Sequence, residues 1–494
     1  MYSGSGFSEW EIGDITVILH KGIYHLYHLI IPNHDYIAHA VSRDGISWRR
    51  VNNALFVGNP GDWDDDMLWT MHVVEDREKF LMYYTGLQRR DRGVVSRIGL
   101  AESNDLVDWK KCNVENFPIE PKGIYYEAAN SNPRTWLSFR DPFRFDYNGK
   151  SYLLVCARNL NGPVNRRGCV GLVDITDEQV TRLPPLLYPM MYDDIECPCA
   201  FQLNGRFYLL GSIREDIRVR FWFAPDFLGE YHSFHDDVLL PQGNYAARTV
   251  QDGEHTLVFN FFYVGKLDAL RVLPPPKQLD TDDRGRLLLR SYYRWELMAR
   301  KRVVQSAFGA VNKLLGNPTA SANTEKEKWT CGSRSGYEIF VFARPSASFI
   351  WEGILTVEGM GKLGIVSDVD TNGSGYYISF DVLNGVVQVD TWGHDPSNYR
   401  HNFIFDTIQT NVFGVNRDRS FQFRLIRYGH YLELSIDGVV KITLMDYRFS
   451  GGNVGLFSAS SVISLQDSWT RTLPDPEDEY ASQQETTKMT PDGR

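Results

Sequence analysis

At 494 residues the chain is two to three times the length of a usual domain, so at least two hydrophobic cores are expected. Its 52 basic against 62 acidic residues leave a net charge of −10, which repels polyphosphates and makes nucleic acid a poor partner. Hydrophobic content of 43% is ordinary, no run nears the roughly 18 apolar residues of a membrane span, and six cysteines over this length cannot be a disulfide scaffold.

The N-terminus, MYSGSGFSEWEIGD, has neither a basic start nor an apolar core. Cytoplasmic residence is the expectation, or secretion where a leader has been removed. A tight turn followed by an aromatic and aliphatic strand then recurs five times: KGIYHLYHL from Lys21, EKFLMYYTG from Glu78, NGKSYLLVCAR from Asn148, NGRFYLLGS from Asn204 and DGEHTLVFNFF from Asp252. Spacings of about 50 to 70 residues suit propeller blades rather than βαβ units. A second element, S-x-D-x-x-x-W, runs from Ser42 to Trp48 and again from Ser103 to Trp109, and reads as a blade turn with a packing tryptophan.

The texture changes near residue 295. Leu297, Val304, Phe308, Val311 and Leu315 fall near helical spacing ahead of Gly316-Asn317-Pro318, which predicts a connecting helix followed by a polar loop, TASANTEKEK. From 336 to 474 short alternating strands such as YYISFDV, SFQFRLIRY and YLELSIDG predict a β-sandwich. The expected architecture is therefore all-β: a five-bladed β-propeller over 1–295, a linker with a helix over 296–335, a C-terminal β-sandwich over 336–474, and a disordered polar tail over 475–494.

A propeller gathers its innermost strands around one funnel, so acids far apart in sequence can converge there. Asp14 in WEIGDITVI, Asp141 in LSFRDPF and Glu196 in DDIECPCAF each precede an aromatic repeat by a similar interval, which places them on equivalent innermost strands. One buried acid is more often a structural partner; three at equivalent positions favour chemistry. Glycoside cleavage needs one carboxylate as nucleophile or base and another held protonated by its surroundings. Glu196, between Ile195 and Cys197-Pro198 and close to Asp193 and Asp194, suits the protonated role.

Arg140-Asp141-Pro142 and Glu196-Cys197-Pro198, in order within a five-blade setting and followed by the segment YLELSIDGVVKITL, resemble glycoside hydrolase family 32, the β-fructofuranosidase, invertase and inulinase group. The resemblance implies Asp14 as nucleophile, Asp141 as transition-state stabiliser and Glu196 as acid/base. It implies a carbohydrate substrate with a terminal furanose, most simply a β-fructofuranoside, and no cofactor or metal. Where the family reads W-M-N-D-P-N-G, this chain has Trp10-Glu11-Ile12-Gly13-Asp14-Ile15-Thr16, keeping the aspartate but not its neighbours.

Arg140 is expected to fix the local carboxylates. Trp63 and Trp69, in GDWDDDMLWTMH, are the candidate aromatic walls of the sugar pocket, and Asn244 and Tyr245, in NYAAR, candidate rim residues. Two readings compete with a retaining hydrolase: a fructosyltransferase or a glycosidase for another furanose such as arabinofuranose, and a non-catalytic sugar-binding protein. The sandwich is expected to add stability and part of a homo-oligomer interface.

Overall fold

The computed structural model describes Tyr2 and residues 11–128, 134–177, 179–263, 271–325, 327–394, 403–414 and 419–476. The chain divides into two compact units, one holding the chain up to Tyr263 with Asp268–Leu288, the other holding Val264–Leu267 and everything from Leu289 onward. Most of the tail expected to be disordered lies outside the described residues.

The first unit is the five-bladed propeller, each blade an antiparallel sheet of four or five strands. Its innermost strands are β1 (Glu11–His20), β2 (Met67–Asp76), β3 (Phe139–Tyr147), β4 (Glu196–Leu203) and β5 (Asn244–Asp252). Each packs on the innermost strands of the blades on either side, β5 against β1 included, so the ring closes. The aromatic repeats form the second strand of every blade. The turn into that strand uses two left-handed residues at Lys21-Gly22, Asn148-Gly149 and Asn204-Gly205, the conformation whose twist matches a two-residue hairpin. The S-x-D-x-x-x-W element is a structural turn, because the Oδ1 atoms of Asp44 and Asp105 accept local backbone N–H groups.

The second unit is one continuous antiparallel sheet folded on itself into the sandwich. Its strands β6 (Phe349–Val369) and β7 (Asn453–Thr472) are long enough to serve both layers. The first half of β6 pairs with Ser420–Tyr428 and its second half with Gly375–Asp381. The register slips between Gly359 and Lys362, where the strand turns the corner.

The connecting helix is a correction. α-Helix occupies only Arg294–Met298, with one 3₁₀ turn at Gln305–Ala307; Arg302–Val304 pairs with β7 and Asn312–Lys313 with the strand Lys328–Phe342. Leu297 is 77% exposed, and Gly309 interrupts the pattern at φ 82°, so the helically spaced residues have no common face to bury. The polar loop is likewise partly strand, over Ala320–Thr324, hydrogen-bonded along Lys328–Phe342.

Candidate active site

All five innermost strands carry a register slip at the same height: between Ile12 and Ile15, Trp69 and Met71, Arg140 and Phe143, Glu196 and Cys199, and Tyr245 and Arg248. A bulge re-aims side chains that a flat strand would hide in its own sheet. In β3, β4 and β5 it contains a left-handed residue, Asp141 at φ 59°, Cys197 at φ 50° and Ala246 at φ 52°. Such backbone is costly for residues other than glycine and persists where neighbours hold it. Here they do: the N–H of Asp141 donates to Thr85 Oγ1 (3.1 Å), that of Cys197 to Asp141 Oδ2 (3.0 Å), and that of Ala246 to Ser212 Oγ (2.9 Å). Each bond runs to the preceding blade.

The bulges bring the three acids together. Oxygens of Asp14 and Asp141 and the sulfur of Cys197 all lie within 4.8 Å of one another. The hydroxyl of Thr70, in the β2 bulge, donates to Asp14. Glu196 is held at both oxygens: Arg140 Nη2 lies 2.6 Å from Oε1, and the Tyr245 hydroxyl donates to Oε2 at 2.5 Å. Asp14 and Glu196 keep some exposure, whereas Asp141 is 2% exposed with Oδ1 lacking a hydrogen-bond partner among the described residues. An acceptor buried and unmatched is unusual. It is available to a hydroxyl of a bound sugar.

Electrostatics acts on the three acids in the same direction. Burial pushes the carboxyls of Asp14, Asp141 and Glu196 above their ordinary range. At Glu196, Arg140 and Tyr245 oppose the rise while Asp141 and Asp194 add to it. At Asp14, Glu196 adds to it while Thr70, Arg248 and Arg140 oppose it. Asp14, Asp141 and Cys197 are the one group of possible metal ligands gathered among the described residues. Burial holds the Cys197 thiol well above its usual pKa, so a metal would first have to displace a tightly held proton. The group suits proton and glycosyl chemistry better.

Around the acids lies a network only partly foreseen. Arg140 also donates to Ser138 Oγ (2.6 Å) and to Asp194 Oδ2 (3.1 Å), and its Nε stands 3.8 Å from Asp141 Oδ1. Arg134 grips Asp193 (2.9 Å) and Asp194 (3.3 Å). Of the two acids ahead of Glu196, Asp194 adds to its proton affinity, whereas Asp193 is taken up by Arg134 and Arg158. Thr70, Arg134 and Arg248 had no local signature, because their partners come from other blades.

Two candidate binding residues are corrected. Trp63 lies flat on blade two, where a Cβ added at Gly86 or Gly99 would fall 2.5 Å from its ring, and it stacks on Tyr84 at 5.6 Å. It packs the blade and is not grouped with the acids. Asn244 is fully buried, its amide donating to the Pro241 carbonyl (2.9 Å) and its oxygen accepting from Asn260 (2.9 Å). Trp69 keeps its candidacy: it precedes Thr70, stacks on His34 at 4.8 Å, and its indole N–H has no partner among the described residues. Tyr245 is at the site, as the donor to Glu196 rather than as a rim residue.

The model of the glycosyl hydrolases family 32 N-terminal domain matches residues 14–236, a span that begins at Asp14 and includes Asp141 and Glu196. The propeller is thus similar to the N-terminal domain of glycosyl hydrolase family 32. Among curated relatives, a 6(G)-fructosyltransferase of Asparagus officinalis is 31% identical over 140 residues, 24% of this chain and 22% of that protein. The aligned stretch thus spans about a fifth of that relative's length. Among solved structures, fructan 1-exohydrolase IIa of Cichorium intybus superposes with a TM-score of 0.69 at 14% identity, over 94% of this chain and 95% of that one. Sucrose-6-phosphate hydrolase of Lactobacillus gasseri gives 0.66 at 15% identity, over 94% and 91%. At such identities these two likenesses speak for the shared propeller-and-sandwich fold.

Proposed function

We propose that this chain is a family 32 enzyme, a retaining glycoside hydrolase that removes a terminal β-fructofuranosyl group. Asp14 attacks the anomeric carbon while Glu196 protonates the leaving oxygen; water, activated by Glu196 as base, then releases the sugar from Asp14. Asp141 accepts hydrogen bonds from ring hydroxyls, and these strengthen as positive charge develops on the sugar. The observation that carries the reading is the convergence of the acids: Glu196 has both oxygens engaged, by Arg140 and by Tyr245, while Asp14 accepts from Thr70 and lies beside Asp141.

The fructose assignment rests on the relatives, whose names specify a fructosyltransferase, a fructan exohydrolase and a sucrose-6-phosphate hydrolase. The departure at the nucleophile segment has a structural cause. A Cβ at Gly13 would lie 2.9 Å from Leu29 Cβ and 3.0 Å from Ile31, so the family's asparagine has no room here. The terminal sugar is then held without that amide, with Trp69 and Asp141 carrying more of the contact. The test is a panel of sucrose, inulin and levan oligosaccharides and p-nitrophenyl furanosides with wild type, Asp14→Ala and Glu196→Ala. Release of fructose by wild type and its loss in both variants is expected. Products extended by a fructosyl unit would identify a transferase, and cleavage of arabinofuranosides alone would overturn the fructose assignment.

A further inference from the structure

Among the described residues, Arg248 is a cation buried without a carboxylate in contact. It projects from β5 beyond the bulge, is 1% exposed, and its guanidinium lies over the Phe143 ring at 5.6 Å. Nη1 donates to the Cys197 carbonyl (2.7 Å) and to the Pro198 carbonyl (3.0 Å), with a longer contact to Ala247 (3.5 Å), while Nε and Nη2 have no hydrogen-bond partner among the described residues. Buried cations are normally paired, and an uncompensated one is strongly disfavoured. Its place therefore needs a reason.

The two carbonyls it holds belong to the left-handed turn that follows Glu196. The same Cys197 residue gives its N–H to Asp141 Oδ2, and its sulfur lies within 4.8 Å of the Asp14 and Asp141 oxygens. We propose that Arg248 is a positioning residue of this active site: a buried cation that fixes the Cys197-Pro198 turn behind Glu196 and supplies the counter-charge for Asp14. The inference rests on the roles proposed above for Asp14, Glu196 and Asp141.

The groups around Asp14 leave few alternatives. Asp141 on β3, Glu196 and Cys197 on β4, Tyr245 on β5 and Tyr263 on the neighbouring strand interact with it as acids, and each is harder to ionise for its presence or acts the same way on it. Thr70, Arg140 and Arg248 favour its charge. Arg140 is already shared between Asp194 and Glu196. On the other side of Arg248, His72 is kept neutral by burial, with Arg248 and Arg144 both disfavouring its charged form, and the Cys199 thiol is raised by burial. Arg248, bonded to the carbonyl of the same Cys197 whose sulfur lies within 4.8 Å of an Asp14 oxygen, is thus the cation left to Asp14.

The test uses the full chain as wild type, Arg248→Gln and Arg248→Lys, with circular dichroism as a check of folding. The Asp14 titration is followed by carbon-13 NMR of protein labelled at the aspartate carboxyls, with Asp14→Asn giving the assignment. The pH profile of kcat/KM for a cleaved fructoside is measured in parallel. Arg248→Gln is expected to raise the Asp14 midpoint by about one pH unit and to carry the acid limb of the profile with it, while kcat falls about tenfold. Arg248→Lys keeps the charge and should hold the midpoint within about 0.3 of a unit. A folded Gln variant with an unmoved Asp14 midpoint overturns the proposal. If the Gln variant does not fold, a Lys variant whose midpoint moves by a full unit overturns it equally. If wild type cleaves no furanoside, the proposed function falls and the NMR arm alone judges the counter-charge.

Discussion

The hydroxyl of Tyr245 donates to Oε2 of Glu196 at 2.5 Å, and Arg140 holds the other oxygen at 2.6 Å. The two donors come from different blades, so the acid is aimed by the ring as a whole. Tyr245→Phe removes a bond that favours ionised Glu196, and the Glu196 pKa should rise. The basic limb of the pH profile is expected to move upward, with kcat reduced about tenfold, in line with the loss of one hydrogen bond to a charged group. Initial-rate measurements across pH check both.

Asp141 has one oxygen on the Cys197 N–H and the other unmatched among the described residues. Asp141→Asn should fold normally, because asparagine tolerates the left-handed backbone at φ 59° better than most residues. It should lose on the order of 10²–10³ in kcat, the usual cost of removing one transition-state contact. KM should change much less. Steady-state kinetics on a single fructoside separates the two.

Asp14→Asn should abolish turnover and yet stabilise the fold near neutral pH. The carboxyl is raised above its ordinary pKa, chiefly by burial, so the folded state binds that proton more tightly than the unfolded chain does. Its contribution is favourable below the unfolded pKa and is lost as pH rises through the folded one. At pH 7 the buried charge is a cost, which asparagine removes. Thermal melts should show a higher Tm for the variant at pH 7, and the gap should close as pH falls through the carboxylate range.

The two candidate wall tryptophans should part company. Trp63→Ala empties the space against Gly86, Gly99 and Tyr84 and should cost about 3 kcal/mol of stability, with kcat/KM per folded molecule unchanged. Trp69→Ala should raise KM several-fold with a small change in stability, since that indole is half-buried and its N–H is unmatched among the described residues. Urea unfolding beside kinetics tells them apart.

These differences mark what was legible in the sequence. Five aromatic repeats exposed the blade count because every blade needs the same buried second strand, and the tripeptides around Asp141 and Glu196 stood out because a proline directly after the acid or its neighbour is rare inside a strand. Which tryptophan meets the sugar was not legible. Trp63 and Trp69 differ through the loop and bulge geometry of blade two, and a one-residue slip moves a side chain to the other face. Thr70 and Arg248 were hidden for another reason: their partners, Asp14 and the Cys197 and Pro198 carbonyls, stand on other blades. The false helix near 297–315 came from apolar spacing with no buried face behind it, as the exposure of Leu297, Val304 and Leu315 shows.

The central claim is that Asp14 is the nucleophile and Glu196 the acid/base. Glu196→Gln, mixed with p-nitrophenyl β-fructofuranoside, should release p-nitrophenol in a burst and stall, because the good leaving group needs no acid while water attack lacks its base. Peptide mass spectrometry of the quenched protein should then find one fructosyl unit on the peptide containing Asp14. A label on the peptide containing Asp141, or a burst with no labelled peptide and product of inverted anomeric configuration, would contradict the account.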